Sequence, residues 1–224
     1  MDLLETYKKS IDLVKNHIID SLLYGILFYI LWKLLFLLPI IGAFIFSYFY
    51  PRLTKWYYTK VTGENINPDY KTAFKSLLIP NLLASIGMVI LLYSIYYTPV
   101  PIEYMNLFGS TGYQYYGSYN VSLIIIGWAI AMISIILSIL LLYTFYGSIL
   151  GKVNKLSIYF EKSLILFVYI LLYSIIVLLA LFTIYIIYGL VISINYEALV
   201  FIILLIIFLV PTVTLVALLK AQEL

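Results

Sequence analysis

The sequence predicts an all-α, polytopic transmembrane helical bundle. It has six spans arranged as three hairpins behind an N-terminal amphipathic interfacial helix, with both termini cytoplasmic. Three observations carry this reading. Apolar residues make up 65% of the 224-residue chain and charged residues only 10%, where a soluble domain carries about a quarter charged residues. The apolar residues come in runs close to the roughly 20 that a helix needs to cross a hydrocarbon core. Finally, the basic residues fall in alternate connecting segments, as orientation by the positive-inside rule requires.

Residues 1–20, MDLLETYKKSIDLVKNHIID, repeat apolar side chains at three and four with Leu4, Tyr7, Ile11, Val14 and Ile18, while Glu5, Lys8, Lys9, Asp12 and Lys15 occupy the rest of the circumference. That pattern fits a helix lying on a membrane surface and lacks the basic start and short apolar core of a cleaved signal. The following run from Ser21 to Arg52 is too long for one span. Divided at Pro39 it gives spans of about 21–38 and 39–57, each near 27 Å by the helical rise, with proline in the position that suits a helix start. The further spans are about 77–97, 121–146, 164–188 and 198–219. Tyr57, Tyr58, Tyr96, Tyr97, Tyr143 and Tyr146 gather near span ends as an aromatic belt does.

Lys8, Lys9, Lys15, Arg52, Lys55, Lys60, Lys71, Lys75, Lys152, Lys155, Lys162 and Lys220 all fall on one side of this arrangement. The turn at Pro39, the loop 98–120 and the turn around Asn195 hold no Lys or Arg. Both termini are therefore expected in the cytoplasm and the protein in the cell membrane. Tyr7-Lys-Lys-Ser10, Tyr70-Lys-Thr-Ala73 and Phe160-Glu-Lys-Ser163 each precede an outward-going span, a weak threefold echo.

Lys33 is the one basic residue inside a span, five residues before the turn. Its stem is expected to snorkel to the far headgroups; the competing reading is a functional intramembrane charge partnered by Glu103 or Glu197. Gly127, Ala131, Ser134 and Ser138 recur at four, three and four, a small-residue seam that lets helix backbones approach, within the chain or across a homodimer. Pro211 interrupts the last span, with Thr212 and Thr214 nearby to re-satisfy the backbone. Together with Tyr169 and Tyr173 they make a polar seam between the fifth and sixth spans. The loop TPVPIEYMNLFGSTGYQYYGSYN is expected to be an ordered aromatic cap.

Cysteine is absent and histidine occurs once, at His17, so thiolate chemistry is excluded and no metal or other cofactor is expected. No acid-base pair, nucleophile triad or phosphate-cradling glycine loop is visible, which argues against an enzyme. The order of parts resembles uncharacterised six-helix prokaryotic membrane proteins related to the membrane domain of glycerophosphodiester phosphodiesterases. The resemblance runs through "YKKSIDLVKNHIID", "LPIIGAFIFSYFYPRLTKWY", "NPDYKTAFKSLLIPN" and "GKVNKLSIYFEKSLILF". It implies the six-helix architecture and, since no phosphodiesterase domain is attached, no catalytic residue.

The expected function is a non-enzymatic scaffold, assembly factor or accessory subunit of a membrane complex. Its expected partners are membrane lipids, a protein at the basic face and a second copy of the chain, with no specific nucleic acid binding. The alternative is a channel or carrier for an uncharged or lipid-like solute.

Overall fold

The computed structural model describes the backbone of residues 2–96, 99–105, 111–117, 121–189 and 197–224, and the side chains of residues 2–94, 121–179 and 209–224. Helices dominate: α1 (Leu3–Asn16), α2 (Ile18–Leu37), α3 (Pro39–Thr62), α4 (Tyr70–Tyr96), α5 (Val121–Leu140), α6 (Leu142–Ile149), α7 (Phe160–Gly189) and α8 (Glu197–Glu223). The departure from an all-α chain lies within the loop expected to form a cap. There the backbone makes an antiparallel hairpin, β1 (Pro99–Met105) against β2 (Thr111–Gly117), with Pro99 opposite Gly117. The aromatic side chains expected to form the cap lie outside the described residues.

Among the described residues, four stretches are long and apolar enough to cross a membrane: Ile18–Leu37, Tyr70–Ser94, Val121–Leu140 and Phe160–Leu179. The helices begin earlier or end later than the apolar runs in the sequence. Hydropathy marks only apolar residues, whereas backbone hydrogen bonding continues through polar ends. Thus α3 continues past Arg52 to Thr62 and stops at Gly63, whose φ of 73° is the left-handed conformation that ends helices. Helix α4 starts at Tyr70, because Asp69 caps it by accepting from the Lys71 and Thr72 amides at 3.1 and 3.3 Å.

The stretch 121–146, expected as one helix, is broken at Leu141. Ser163 of α7 lies at the break: its hydroxyl donates to the Leu140 carbonyl at 2.8 Å and accepts from the Tyr143 amide at 3.2 Å. A side chain placed among the backbone groups of a helix is a recognised cause of a kink.

Helices α2 and α3 form a hairpin with Leu38 as the one residue between them. The turn needs Gly42, since a Cβ there would lie 2.2 Å from the Leu34 carbonyl oxygen. The α4 and α5 helices pack closely through Gly87 and Gly127, where a Cβ on either would come within about 3 Å of the other's carbonyl oxygen. The buried core is concentrated at one end of the bundle, around Tyr24, Tyr57, Tyr58, Ile149, Leu166, Leu215 and Leu218. Toward the other end the described α2, α4, α5 and α7 surfaces expose large apolar side chains such as Leu37, Ile125, Trp128 and Leu179.

Candidate functional site

The packed end joins segments that are far apart in sequence. Tyr24 of α2 is fully buried, and its hydroxyl lies 3.3 Å from Thr54 Oγ1 of α3 and 3.1 Å from Thr214 Oγ1 of α8. Its ring stacks on Tyr57 at 4.3 Å, and the Tyr57 hydroxyl pairs with Ser21 Oγ at 2.8 Å. Buried hydroxyls persist in an apolar environment only when paired, so this cluster fixes how α2, α3 and α8 dock.

One turn further out, the Tyr58 hydroxyl lies 2.7 Å from Glu64 Oε2 and 3.0 Å from Gln222 Oε1, and Gln222 Nε2 donates to Glu64 Oε2 at 3.1 Å. This triangle ties the end of α8 to the segment after α3. Lys152 donates to the carbonyl of Gln222, Lys162 to that of Leu224, and Lys220 pairs with Glu223 at 2.9 Å. Three cations thus gather where α8 presents its last carbonyls and the negative end of its dipole.

The two connecting loops are locked together as well. The Asp69 amide donates to the Ser148 carbonyl at 2.8 Å, and Thr144 Oγ1 donates to the Ser157 carbonyl. Gly151 takes φ 74°, and a Cβ there would lie 2.5 Å from the Asn67 carbonyl oxygen. The Thr72 hydroxyl, 2.7 Å from Asp69 Oδ2, holds that carboxyl below its ordinary range, helped by the Thr72 and Lys71 amides and opposed by slight burial.

The residues expected to form a polar seam occupy positions that the sequence reading only partly anticipates. Tyr169 and Tyr173 do share a face of α7, but α1 fills the space before them. The Tyr7 hydroxyl donates to the Tyr169 carbonyl at 2.8 Å, and its ring sits 4.8 Å from that of Tyr173. Burial, the largest cause, raises the Tyr7 phenol above its ordinary range. Lys220 lies over the Tyr169 ring at 4.6 Å. Near Pro211, Thr212 Oγ1 approaches the Leu209 carbonyl at 3.4 Å, as expected of a hydroxyl beside a helical proline. Thr214 instead belongs to the Tyr24 cluster.

Lys33 projects from the exposed face of α2, with Nζ 5.4 and 5.6 Å from the ring centroids of Tyr29 and Trp32. The side chains of Glu103 and Glu197, considered as its partners, lie outside the described residues. The small-residue seam faces α4. Gly127 meets Leu91 and the Gly87 carbonyl, Ala131 presents its amide toward Gly87, and Ser134 Oγ donates to the Pro80 carbonyl at 2.8 Å. Ser138 Oγ bonds back to Ser134 O within its own helix. The seam is therefore used inside one chain.

The sequence reading missed Tyr7 as a plug, the Tyr58, Glu64 and Gln222 triangle and the role of Ser163. Each joins residues far apart in the chain, so no local pattern announces it. His17 marks the junction of α1 and α2, with Nδ1 3.8 Å from Asp20. Among the described residues no three His, Asp or Glu side chains converge as metal ligands would. No family model, curated protein or solved structure matches the chain.

Proposed function

We propose that the chain is a non-enzymatic membrane scaffold or accessory subunit. Three helical hairpins, α2 with α3, α4 with α5 and α7 with α8, insert from the cytoplasmic side of the cell membrane, leaving both termini there. The observation that carries this reading is the interlocked basic end. Both ends of the chain and both described loops are bonded into one body there, and that body presents the exposed Lys8, Lys9, Lys15, Lys60, Lys71, Lys75 and Lys155. A rigid array of lysines at a membrane surface suits an acidic protein partner or anionic headgroups, because little ordering entropy is lost on binding.

On α1 the exposed residues Leu4, Lys8, Ile11 and Lys15 follow one another along the outer face, and exposed Ile18 begins α2 just beyond. Leu4, Ile11 and Ile18 would enter the headgroup boundary while the lysines meet phosphate. The buried face, Thr6, Tyr7, Ser10 and Val14, packs against the bundle. The carrier alternative has less support: the α7 and α8 seam proposed for a solute holds the Tyr7 ring.

The test is purification in a mild detergent, followed by mass spectrometry of co-eluting species and measurement of particle mass. The reading expects a stoichiometric protein partner that is lost from a Lys8→Glu, Lys9→Glu, Lys15→Glu variant. A lone particle carrying one specific solute, with uptake of that solute by proteoliposomes, would contradict it.

A further inference from the structure

The α2 and α3 hairpin does not reach as far along the bundle as α4 and α5. The Ser85 hydroxyl of α4 lies 2.7 Å from the Pro39 carbonyl at the hairpin turn. Below it, Asn81 Nδ2, one turn earlier on α4, donates at 3.2 Å to Ser47 Oγ, two turns further along α3, so the contact continues down the pair. Yet α4 continues eleven residues past Ser85 to Tyr96, about 16 Å at the helical rise. Helix α5 agrees independently: Gly127 packs at Gly87, one half-turn beyond Ser85, and α5 extends six residues further to Val121, about 9 Å more.

On the α3 arm the strongly apolar part of the hairpin is short, although α2 itself has 20 residues. Arg52 lies 13 residues from Pro39, about 20 Å along α3. Its guanidinium lies over Tyr48 and over Tyr70, where α4 begins. A hydrocarbon core is about 30 Å thick.

The turn itself is also unlike one that meets water. The residues around it, Phe36-Leu-Leu-Pro-Ile-Ile41, are all apolar, and Leu37 and Ile41 are 73% and 61% exposed. Turns in water favour Gly, Asn, Asp and Ser. Three backbone groups at the turn find partners within the protein: the Leu38 amide donates to Leu34 O at 3.0 Å, the Gly42 amide to Leu38 O, and the Ser85 hydroxyl to Pro39 O. Satisfied backbone is the condition for a turn inside a membrane.

We infer that α2 and α3 form a re-entrant hairpin whose apolar tip ends within the hydrocarbon, covered by lipid acyl chains, while α4 and α5 cross completely. The inference rests on the proposed insertion from the basic side. It also changes the reading of Lys33. Phe28 of α2 packs against Tyr50, 5.4 Å between rings, near the level where Arg52 marks the basic boundary. Lys33 is five residues above it, about 8 Å, and helical side chains lean toward the N-terminus. The lysine is therefore held toward the cytoplasmic interface, over Tyr29 and Trp32, and not toward the far one.

The chain has no cysteine, so single-cysteine variants report location directly. Ile41→Cys, with Ile40→Cys as a second tip position, is compared with Val121→Cys and Lys60→Cys. All are probed with a membrane-impermeant maleimide in intact cells and after lysis. The inference expects Val121→Cys to label from outside, Lys60→Cys only after lysis, and both tip variants at least tenfold more slowly than either until detergent is added. In reconstituted bilayers a spin label at the tip should collide with oxygen far more than with a nickel chelate. Outside labelling of the tip at the Val121→Cys rate would overturn the re-entrant hairpin alone. Outside labelling of Lys60→Cys would overturn the insertion reading and the inference with it.

Discussion

Gly63 and Gly151 form a natural controlled pair. Their φ values are 73° and 74°, yet a Cβ on Gly63 would meet nothing within 4 Å, whereas one on Gly151 would lie 2.5 Å from the Asn67 carbonyl oxygen. Gly63→Ala should therefore cost only the left-handed strain of an L-residue, about 1 kcal/mol. Gly151→Ala carries the same strain and must also displace the Asn67 backbone. Two residues on, the Asp69 amide bonds to Ser148 at 2.8 Å, and losing that link adds at least about 1 kcal/mol.

An extra 1.4 kcal/mol corresponds to about tenfold in an opening equilibrium. The assay is tryptic cleavage after Lys152 and Lys155 in mild detergent, in the regime where cleavage tracks the open population. Cleavage in Gly151→Ala should exceed that in Gly63→Ala by at least about fivefold, the factor that about 1 kcal/mol gives. Equal rates in the two variants would refute the claim that the loops are locked through Gly151.

Three further outcomes follow from the same geometry. Tyr7→Phe removes the bond to the Tyr169 carbonyl but keeps the ring contact with Tyr173, so α1 should loosen by about 1 kcal/mol, read as faster cleavage after Lys8 and Lys9. Gly87→Leu sets a side chain 3.0 Å from the Gly127 carbonyl oxygen and should separate α4 from α5, lowering the thermal midpoint in detergent well below that of a Val89→Leu control on the exposed face. The Asp69 cap should be pH-dependent. Its folded pKa is depressed, so its contribution is full above the ordinary carboxylate value of about 4 and is lost as pH falls through the lower folded value. Asp69→Asn should flatten that acid limb in a denaturation series from pH 6 to pH 2.

The helices were largely legible in the sequence because their signals are local. Length and apolarity mark the long helices and Pro39 marks the start of α3, whereas its end at Gly63 was missed because the apolar signal fades near Tyr57 while the helix continues. The break at Leu141 was not legible, because nothing between Val121 and Tyr146 disfavours a continuous helix. The cause is Ser163, some twenty residues later. The small-residue seam was found by its spacing, although spacing alone did not say that Gly127 would meet Gly87. Thr214 lies beside Pro211 in sequence, which suggested local backbone repair, but helix geometry turns it toward Tyr24. The depth inferred for Lys33 rests on Phe28 packing against Tyr50 near Arg52, a property of packing between helices that no local pattern carries.

The central claim is that the interlocked basic end lies on one side of the membrane. Its most direct test uses Lys9→Cys, Lys60→Cys and Lys155→Cys, one each on α1, α3 and the loop before α7, in sealed vesicles of known orientation. The account predicts that all three label with an impermeant maleimide from the cytoplasmic side and none from the other. Labelling of any one from the opposite side would contradict it.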